Sequence, residues 1–144
     1  MNSKHSIYHN LVVEATADKV FNVITSPNEL VKWWPLRCEG VPELNKNYNF
    51  YFSEEFNWYG KVVSIEKNKQ FFIKMTNADS DWVDTIFGFE LIKNGNSTQL
   101  SFSHVNWPKC NAHFKTSSFC WAMLLNSLKN YIEKGIIIPF EERT

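Results

Sequence analysis

Hydrophobic and polar residues alternate near the amino end of the chain, which predicts that it opens with a β-strand. Between residues 7 and 13 every second side chain falls on one face of that strand, the face expected to be covered. The apolar spacing then becomes helical, and Thr16 is the predicted N-cap of a first short helix. Residues 26–29, Ser-Pro-Asn-Glu, have the form of a capping box and predict a second short helix that ends before Pro35.

The middle of the chain, from residue 36 to residue 107, carries only strand and turn signals. Runs of apolar, aromatic and β-branched residues are separated by short polar segments rich in Asn, as expected of hairpin loops. The predicted strands are residues 48–52, 58–65, 71–75, 82–91 and 99–107. This arrangement indicates an antiparallel meander.

After Pro108 the apolar residues recur with a period of 3.6, which predicts one long amphipathic helix. Gly135 is the expected residue that ends it. The apolar residues that follow, 136–140, must pack back onto the domain or meet a partner. The predicted apolar stripe of the helix consists of Trp121, Leu124, Leu125, Leu128, Tyr131 and Ile132.

The order of these elements predicts a single α+β domain over residues 1–144, with a carboxy-terminal tail at 136–144. We expect a curved antiparallel sheet of about six to seven strands, two short helices after the first strand, and the long helix packed across one face of the sheet.

Composition and charge narrow the partners that this domain can have. The 144 residues carry 15 basic and 15 acidic side chains, so no overall field attracts a nucleic acid or an anionic membrane. There is neither an apolar leader at the amino end nor a run of about 18 apolar residues that could span a bilayer, so we expect a cytoplasmic protein without membrane insertion. The cysteines, Cys38, Cys110 and Cys120, fit neither a disulfide framework nor a zinc motif.

Five short motifs occur in a characteristic order. They are residues 13–21 (VEATADKVF), 30–35 (LVKWWP), 60–62 (GKV), 103–105 (SHV), and 119–121 (FCW) followed by leucines 124, 125 and 128. In order and spacing they resemble the START-like superfamily, also called SRPBCC, helix-grip or birch-pollen-allergen-like, and within it the activator of heat-shock protein 90 ATPase-like family. The resemblance implies that the long helix grips the sheet loosely and leaves an apolar cavity, whose mouth lies near the short helices and the hairpin loops.

Strand alternation indicates which side chains face that cavity. We assign alternate residues of 83–91 and of 100–106 to the inward faces, where most are large and apolar. The predicted lining consists of Trp34, Phe50, Phe52, Trp58, Met75, Thr85, Phe87, Phe102, His104, Trp121 and Leu125. The same pattern fits rings that simply fill a core, so this alternative stays open.

Few polar residues are candidates for chemistry. His104 shares the inward face with Thr85 and is the one weak catalytic candidate, although a core histidine bonded to a hydroxyl is the favoured interpretation. His5 and His9 stand about 13 Å apart along a strand, too far to share a metal. His113 is expected at the solvent-exposed start of the long helix, and the acidic residues 79, 81 and 84 are expected to be solvated turn charges. No metal or cofactor is predicted.

The leading hypothesis is therefore the binding of a small hydrophobic or aromatic ligand, lipid-like or polyketide-like, between the sheet and the long helix. One alternative is an enzyme of the cyclase, dehydratase or hydrolase type that uses His104, Thr85 or Tyr48. Another, implied by the resemblance, is a chaperone ATPase-activating interaction. The apolar residues 136–140 add a homodimer as a further alternative.

Overall fold

Seven antiparallel strands form one curved sheet, and one long helix packs across it. A computed structural model describes residues 4–143; residues 1–3 and 144, which the predicted domain and tail include, lie outside the described residues. The elements are β1 (His5–Val13), α1 (Ala17–Thr25), α2 (Pro27–Leu30), β2 (Arg37–Gly40), β3 (Asn47–Tyr51), β4 (Asn57–Glu66), β5 (Gln70–Asn77), β6 (Ile86–Asn94), β7 (Ser97–Trp107), α3 (Ala112–Lys134) and a 3₁₀ turn (Phe140–Glu142). The strand order β1-β7-β6-β5-β4-β3-β2 is a meander to which β1 returns, and the α+β prediction is confirmed.

The core lies between the concave face of the sheet and the apolar stripe of α3. Alternate residues of the strands are buried there, as the period-2 pattern predicts. On α3 the predicted stripe is confirmed, except that Tyr131 stays half-buried and its hydroxyl donates to Glu29 Oε2 at 2.6 Å. The largest side chains that are almost fully enclosed are Trp33, Trp107, Trp121, Tyr48, Phe50, Phe71, Phe89 and Phe102.

Two of the predicted helix ends are confirmed. The Thr16 hydroxyl accepts a hydrogen bond from the Lys19 amide and so caps α1. The α1 helix and the long helix lie where the periodicity places them, and α3 starts at the cap Asn111, whose Oδ1 accepts from the Phe114 amide at 3.0 Å. Gly135 ends α3 with φ +70°, the left-handed conformation that glycine adopts without a steric penalty.

The predicted capping box at residues 26–29 is wrong. Ser26 precedes α2, but its side chain makes no capping bond, and its backbone amide instead closes α1 on the Asn22 carbonyl. Glu29 turns away from the helix start towards Tyr131 and Lys32. The helix ends at Leu30 instead of continuing to Trp34, because the chain turns there towards the sheet.

The strand prediction needs three corrections. The edge strand β2 was missed, because four residues are too few to show alternation. Residues 82–85 form a turn instead of the start of β6, and Val83 is consequently exposed. Asn106 has φ +69° and interrupts the alternation of β7, so Trp107 is fully buried while Asn106 is only half-buried.

Gly88, in the middle of β6, is a position where the sheet excludes a side chain. A Cβ atom there would meet the carbonyl oxygen of Phe71 and approach the Phe72 backbone to 2.7 Å. We predict that Gly88→Ala lowers the free energy of unfolding by about 1–3 kcal/mol, because backbone atoms must move to make room. Urea denaturation measures the effect. The control is Glu90→Ala, an exposed position on the same strand, and an equal loss in both variants would contradict the prediction.

Candidate functional site

An open cleft of about 460 Å³ lies beside the first half of α3. Its walls come from the residues after α2, the β3–β4 and β5–β6 loops, α3 and the carboxy-terminal segment. The lining residues are Trp34, Phe52, Phe56, Trp58, Asp79, Trp82, His113, Thr116, Ser117, Cys120, Trp121, Leu124, Phe140, Glu141 and Arg143. The volume lies within the range of about 300–1,000 Å³ that is usual for sites of small ligands.

Five aromatic side chains of this lining contact one another in a closed circuit, which we call the aromatic belt: Trp34, Phe52, Trp58, Trp82 and Trp121. Successive ring centroids are 5.8, 5.1, 4.7, 6.0 and 5.0 Å apart, from Trp34 round to Trp34 again. These distances fall within the range of favourable aromatic pairs. Phe52 and Trp58 are partly exposed, whereas the other three rings are buried. The belt therefore presents aromatic surface to the cleft.

His104 lies behind the belt and is fully buried. The Trp121 indole N–H donates to its Nδ1 at 3.1 Å, so the neutral ring carries its proton on Nε2 and donates to Thr85 Oγ1 at 2.8 Å. The Thr85 hydroxyl in turn donates to the carbonyl of Trp82. Burial lowers the pKa of His104 to about 3. The preferred interpretation, a core histidine with satisfied hydrogen bonds, is confirmed.

A polar cluster of Asp81, Asn111 and His113 forms one edge of the cleft. The sequence predicts that Asp81 is a solvated charge and that His113 is solvent-exposed, and both predictions are wrong. His113 Nδ1 lies 3.1 Å from Asp81 Oδ2, and Asn111 Nδ2 donates to the same oxygen at 3.2 Å. These hydrogen bonds, His113 first, hold the pKa of the Asp81 carboxyl below its usual value. The two side chains are only 38% and 22% exposed, because the β5–β6 turn folds against the start of α3.

The carboxy-terminal segment packs back and closes another side of the cleft. The Arg143 guanidinium donates to the carbonyls of Val31 at 2.8 Å and Lys32 at 3.1 Å, and within its own segment to Ile138 at 2.8 Å. Carbonyls that follow a helix lack intrahelical donors, which makes them suitable partners for a cation. The segment thereby places Phe140 at 6.4 Å from the ring of Phe52.

The structure divides the eleven predicted lining residues into two groups. Trp34, Phe52, Trp58 and Trp121 line the cleft. The other seven do not: Phe50, Met75, Thr85, Phe87, Phe102 and His104 are sealed in the core, and Leu125 borders a smaller groove of about 220 Å³ between β1 and α3. Over most of the concave face of the sheet, the aromatic rings fill the core. Contact between a ligand and any of the eleven predicted lining residues stays a prediction.

Several lining residues were missed by reasoning from strand alternation. His113, Ser117, Cys120 and Leu124 follow one another at spacings of four, three and four on one face of α3, so helical periodicity could have found them. Strand alternation does not identify Trp82 as a belt residue, because the sequence predicts a strand where the structure has a turn. Residues 4–143 contain no cluster of three or more His, Cys, Asp or Glu placed to share a metal ion. In the same part of the chain no helix is long and apolar enough to cross a membrane.

Comparison with known proteins places this architecture among solved relatives. Residues 14–133 match the family described as Activator of Hsp90 ATPase homolog 1-like protein. The solution structure of the Aha1 dimer from Colwellia psychrerythraea is similar to this chain with a TM-score of 0.82 and 26% identity, covering 91% of this chain and 98% of that one.

Two further structures share the fold at lower identity. CalU16 from Micromonospora echinospora is 16% identical with a TM-score of 0.73, covering 98% of this chain and 81% of its own. DynU16, from the dynemicin biosynthetic locus, is 15% identical with a TM-score of 0.75, covering 90% of this chain and 48% of its own. No curated protein matches this sequence.

The buried neutral His104 makes stability depend on pH. Its pKa is lowered to about 3 in the folded chain, against 6.5 for an exposed histidine, so between these values the unfolded chain binds a proton that the folded chain excludes. Stability is therefore lost as the pH falls below 6.5, by about 1.4 kcal/mol per pH unit. We predict that His104→Gln is destabilised at pH 7 and loses about 2 kcal/mol less than the wild type between pH 7 and pH 5.

Urea denaturation at the two pH values provides the measurement. Phe102→Leu serves as the control, because it weakens the same core without removing a titrating group. If His104→Gln and Phe102→Leu lose the same stability on acidification, His104 is not the source of the pH dependence.

Proposed function

The chain belongs to the Activator of Hsp90 ATPase homolog 1-like protein family, and we propose that it binds a small, flat hydrophobic or aromatic ligand in its cleft. The observation that carries the proposal is the aromatic belt. Burial of apolar area contributes roughly 25 cal/mol per Å², and a planar ring system can place both faces against such rings. Of the lipid-like and polyketide-like ligands considered from the sequence, the belt favours the second, ring-containing class.

The belt supports this proposal through its position as well as its composition. Phe52 and Trp58 keep part of their surface in solvent although both lie beside buried aromatic neighbours. Partly exposed apolar rings that rim a concave surface are typical of sites that a ligand completes. A ligand seated there would cover these two rings and contact Trp121 at the base of the cleft.

No observation favours the enzyme hypothesis in the form that the sequence suggested. His104 and Thr85 are fully enclosed and bonded to each other, and the Tyr48 hydroxyl donates to the Thr25 carbonyl at 2.5 Å. All three lie outside the lining of the cleft. We therefore do not assign a reaction to them.

A homodimer is a second proposal, favoured by the dimeric state of the similar Colwellia psychrerythraea protein. Phe119 and Met123, neighbours on the outer face of α3, are 66% and 42% exposed, and they are the apolar surface that we assign to a second copy.

An interaction with a chaperone ATPase stays a prediction, for which stimulation of ATP hydrolysis is the test. All three cysteines are free, which supports the proposal of a cytoplasmic location.

Filling the cleft tests the ligand proposal. Cys120 is half-buried in the cleft wall, so Cys120→Trp introduces an indole where the ligand would lie. We predict that 2-methoxynaphthalene, an uncharged planar probe, binds the wild type and loses about tenfold or more in affinity with this variant, because the cleft volume is occupied. Titration calorimetry measures the binding.

Lys134→Trp is the control, since it adds the same ring on the same helix outside the cleft, and it should bind the probe like the wild type. Native mass spectrometry of the purified protein accompanies the titration. It reports any co-purified small molecule and shows whether the 16.9 kDa chain is paired. Equal affinities for both tryptophan variants, or no binding to the wild type, would count against the proposed site.

A further inference from the structure

His113 is the one histidine of the cleft lining, and its ring is held from two sides. Its Nδ1 bonds Asp81 of the β5–β6 turn, and its ring contacts the edge of Trp107 at 5.4 Å. Asp81 is itself fixed by Asn111, the residue that caps α3. The imidazole orientation is therefore set by the same contacts that join the turn to the helix.

These contacts also determine which ring nitrogen carries the proton. An ionised carboxylate only accepts hydrogen bonds, so the neutral His113 must donate from Nδ1 and keep Nε2 as an acceptor. The low pKa of the Asp81 carboxyl keeps it ionised at neutral pH. Among residues 4–143 no group donates to Nε2, and the side chain remains 38% exposed beside the belt. The cleft thus offers one oriented, unpaired acceptor.

We propose that this acceptor makes the cleft selective for hydroxyaromatic ligands, with the belt covering the ring system and His113 Nε2 accepting the hydrogen bond of a phenolic hydroxyl. This inference rests on the proposed function and names the class of ligand. Asp81 is a positioning residue, because it acts only through His113. Ligand binding here involves a hydrogen bond and no covalent step.

The charges around the cleft disfavour the other common class of polar aromatic ligand, the aromatic carboxylates. Asp79, Asp81 and Glu141 contribute three carboxylates to this region, and an anion placed at His113 would be repelled by them. The guanidinium of Arg143 is directed at backbone carbonyls of residues 31–35. A neutral hydroxyl donor meets no such penalty.

Three naphthalene probes of equal ring size separate these contributions: 2-naphthol, 2-methoxynaphthalene and 2-naphthoate. Titration calorimetry should show that the wild type binds 2-naphthol about three- to tenfold more tightly than the methyl ether, the effect of one net hydrogen bond, and binds 2-naphthoate most weakly. In His113→Leu the ratio of naphthol to ether affinity should fall to about one.

Asp81→Ala provides a second variant that keeps the histidine. Without the carboxylate nothing fixes the imidazole ring or holds its proton on Nδ1, so the preference for naphthol over the ether should again be lost. His9→Gln is the control, because His9 bonds the Ser118 carbonyl outside the cleft lining, and the wild-type ratio should remain.

The outcomes distinguish this inference from the function on which it rests. If the naphthol and the ether bind the wild type equally, or if the preference survives unchanged in either His113→Leu or Asp81→Ala, the hydroxyl selectivity is wrong while an aromatic site stands. If none of the probes binds the wild type, both proposals fail. A variant that does not fold, judged by circular dichroism, is replaced by the other, since each removes the oriented acceptor independently.

Discussion

The hydrogen bond from the Trp121 indole to His104 is the interaction on which the rest of this structure depends. It joins α3 to β7 inside a mainly apolar core, and it continues through Thr85 to the turn that carries Trp82. A buried indole N–H without an acceptor costs about 1–3 kcal/mol, so the position of α3 on the sheet is specified more narrowly than ring packing alone would require. Burial keeps His104 neutral, and only a neutral imidazole can accept from Trp121 while it donates to Thr85.

This anchor explains why the aromatic residues have two different roles. Beneath Trp121 and towards the carboxy-terminal half of α3, the helix lies on the sheet, and rings such as Phe87 and Phe102 fill the space as ordinary core. Beyond Trp121, towards the start of α3, the β3–β4 and β5–β6 loops and the carboxy-terminal segment also face the helix, and the cleft opens there. Core and cleft residues are therefore the same types of amino acid, and Trp121, which anchors the helix to the sheet, contacts both the core and the cleft.

The features that could be predicted from the sequence are those that repeat along the chain. Alternation over five or more residues identified six of the seven strands, and the stripe from Trp121 to Ile132 identified α3. Single residues with positive φ were not predictable in this way. Asp84 and Asn106 each have φ +69°, and the first of them belongs to the turn that places Trp82 in the belt. Asp81 and His113 are 32 residues apart in the sequence, and their contact depends on that turn. No local sequence pattern could therefore predict the contact.

The cleft has an apolar centre, and hydrogen bonds of polar side chains, which we call the polar ties, hold its perimeter. The apolar centre supplies the affinity for a ligand, and the polar perimeter supplies the selectivity. Asp81 joins the β5–β6 turn to α3, and Arg143 joins the carboxy-terminal segment to the residues after α2. Because these ties hold the walls in place before a ligand arrives, little ordering entropy is lost on binding, and the free energy of ring burial is retained as affinity. The belt accepts any flat apolar surface, so it discriminates poorly between ring systems of similar size. A site of this kind distinguishes ligands through polar groups that still lack a hydrogen-bond partner. A donor or acceptor that the ligand leaves unmatched costs more binding free energy than an imperfect apolar contact.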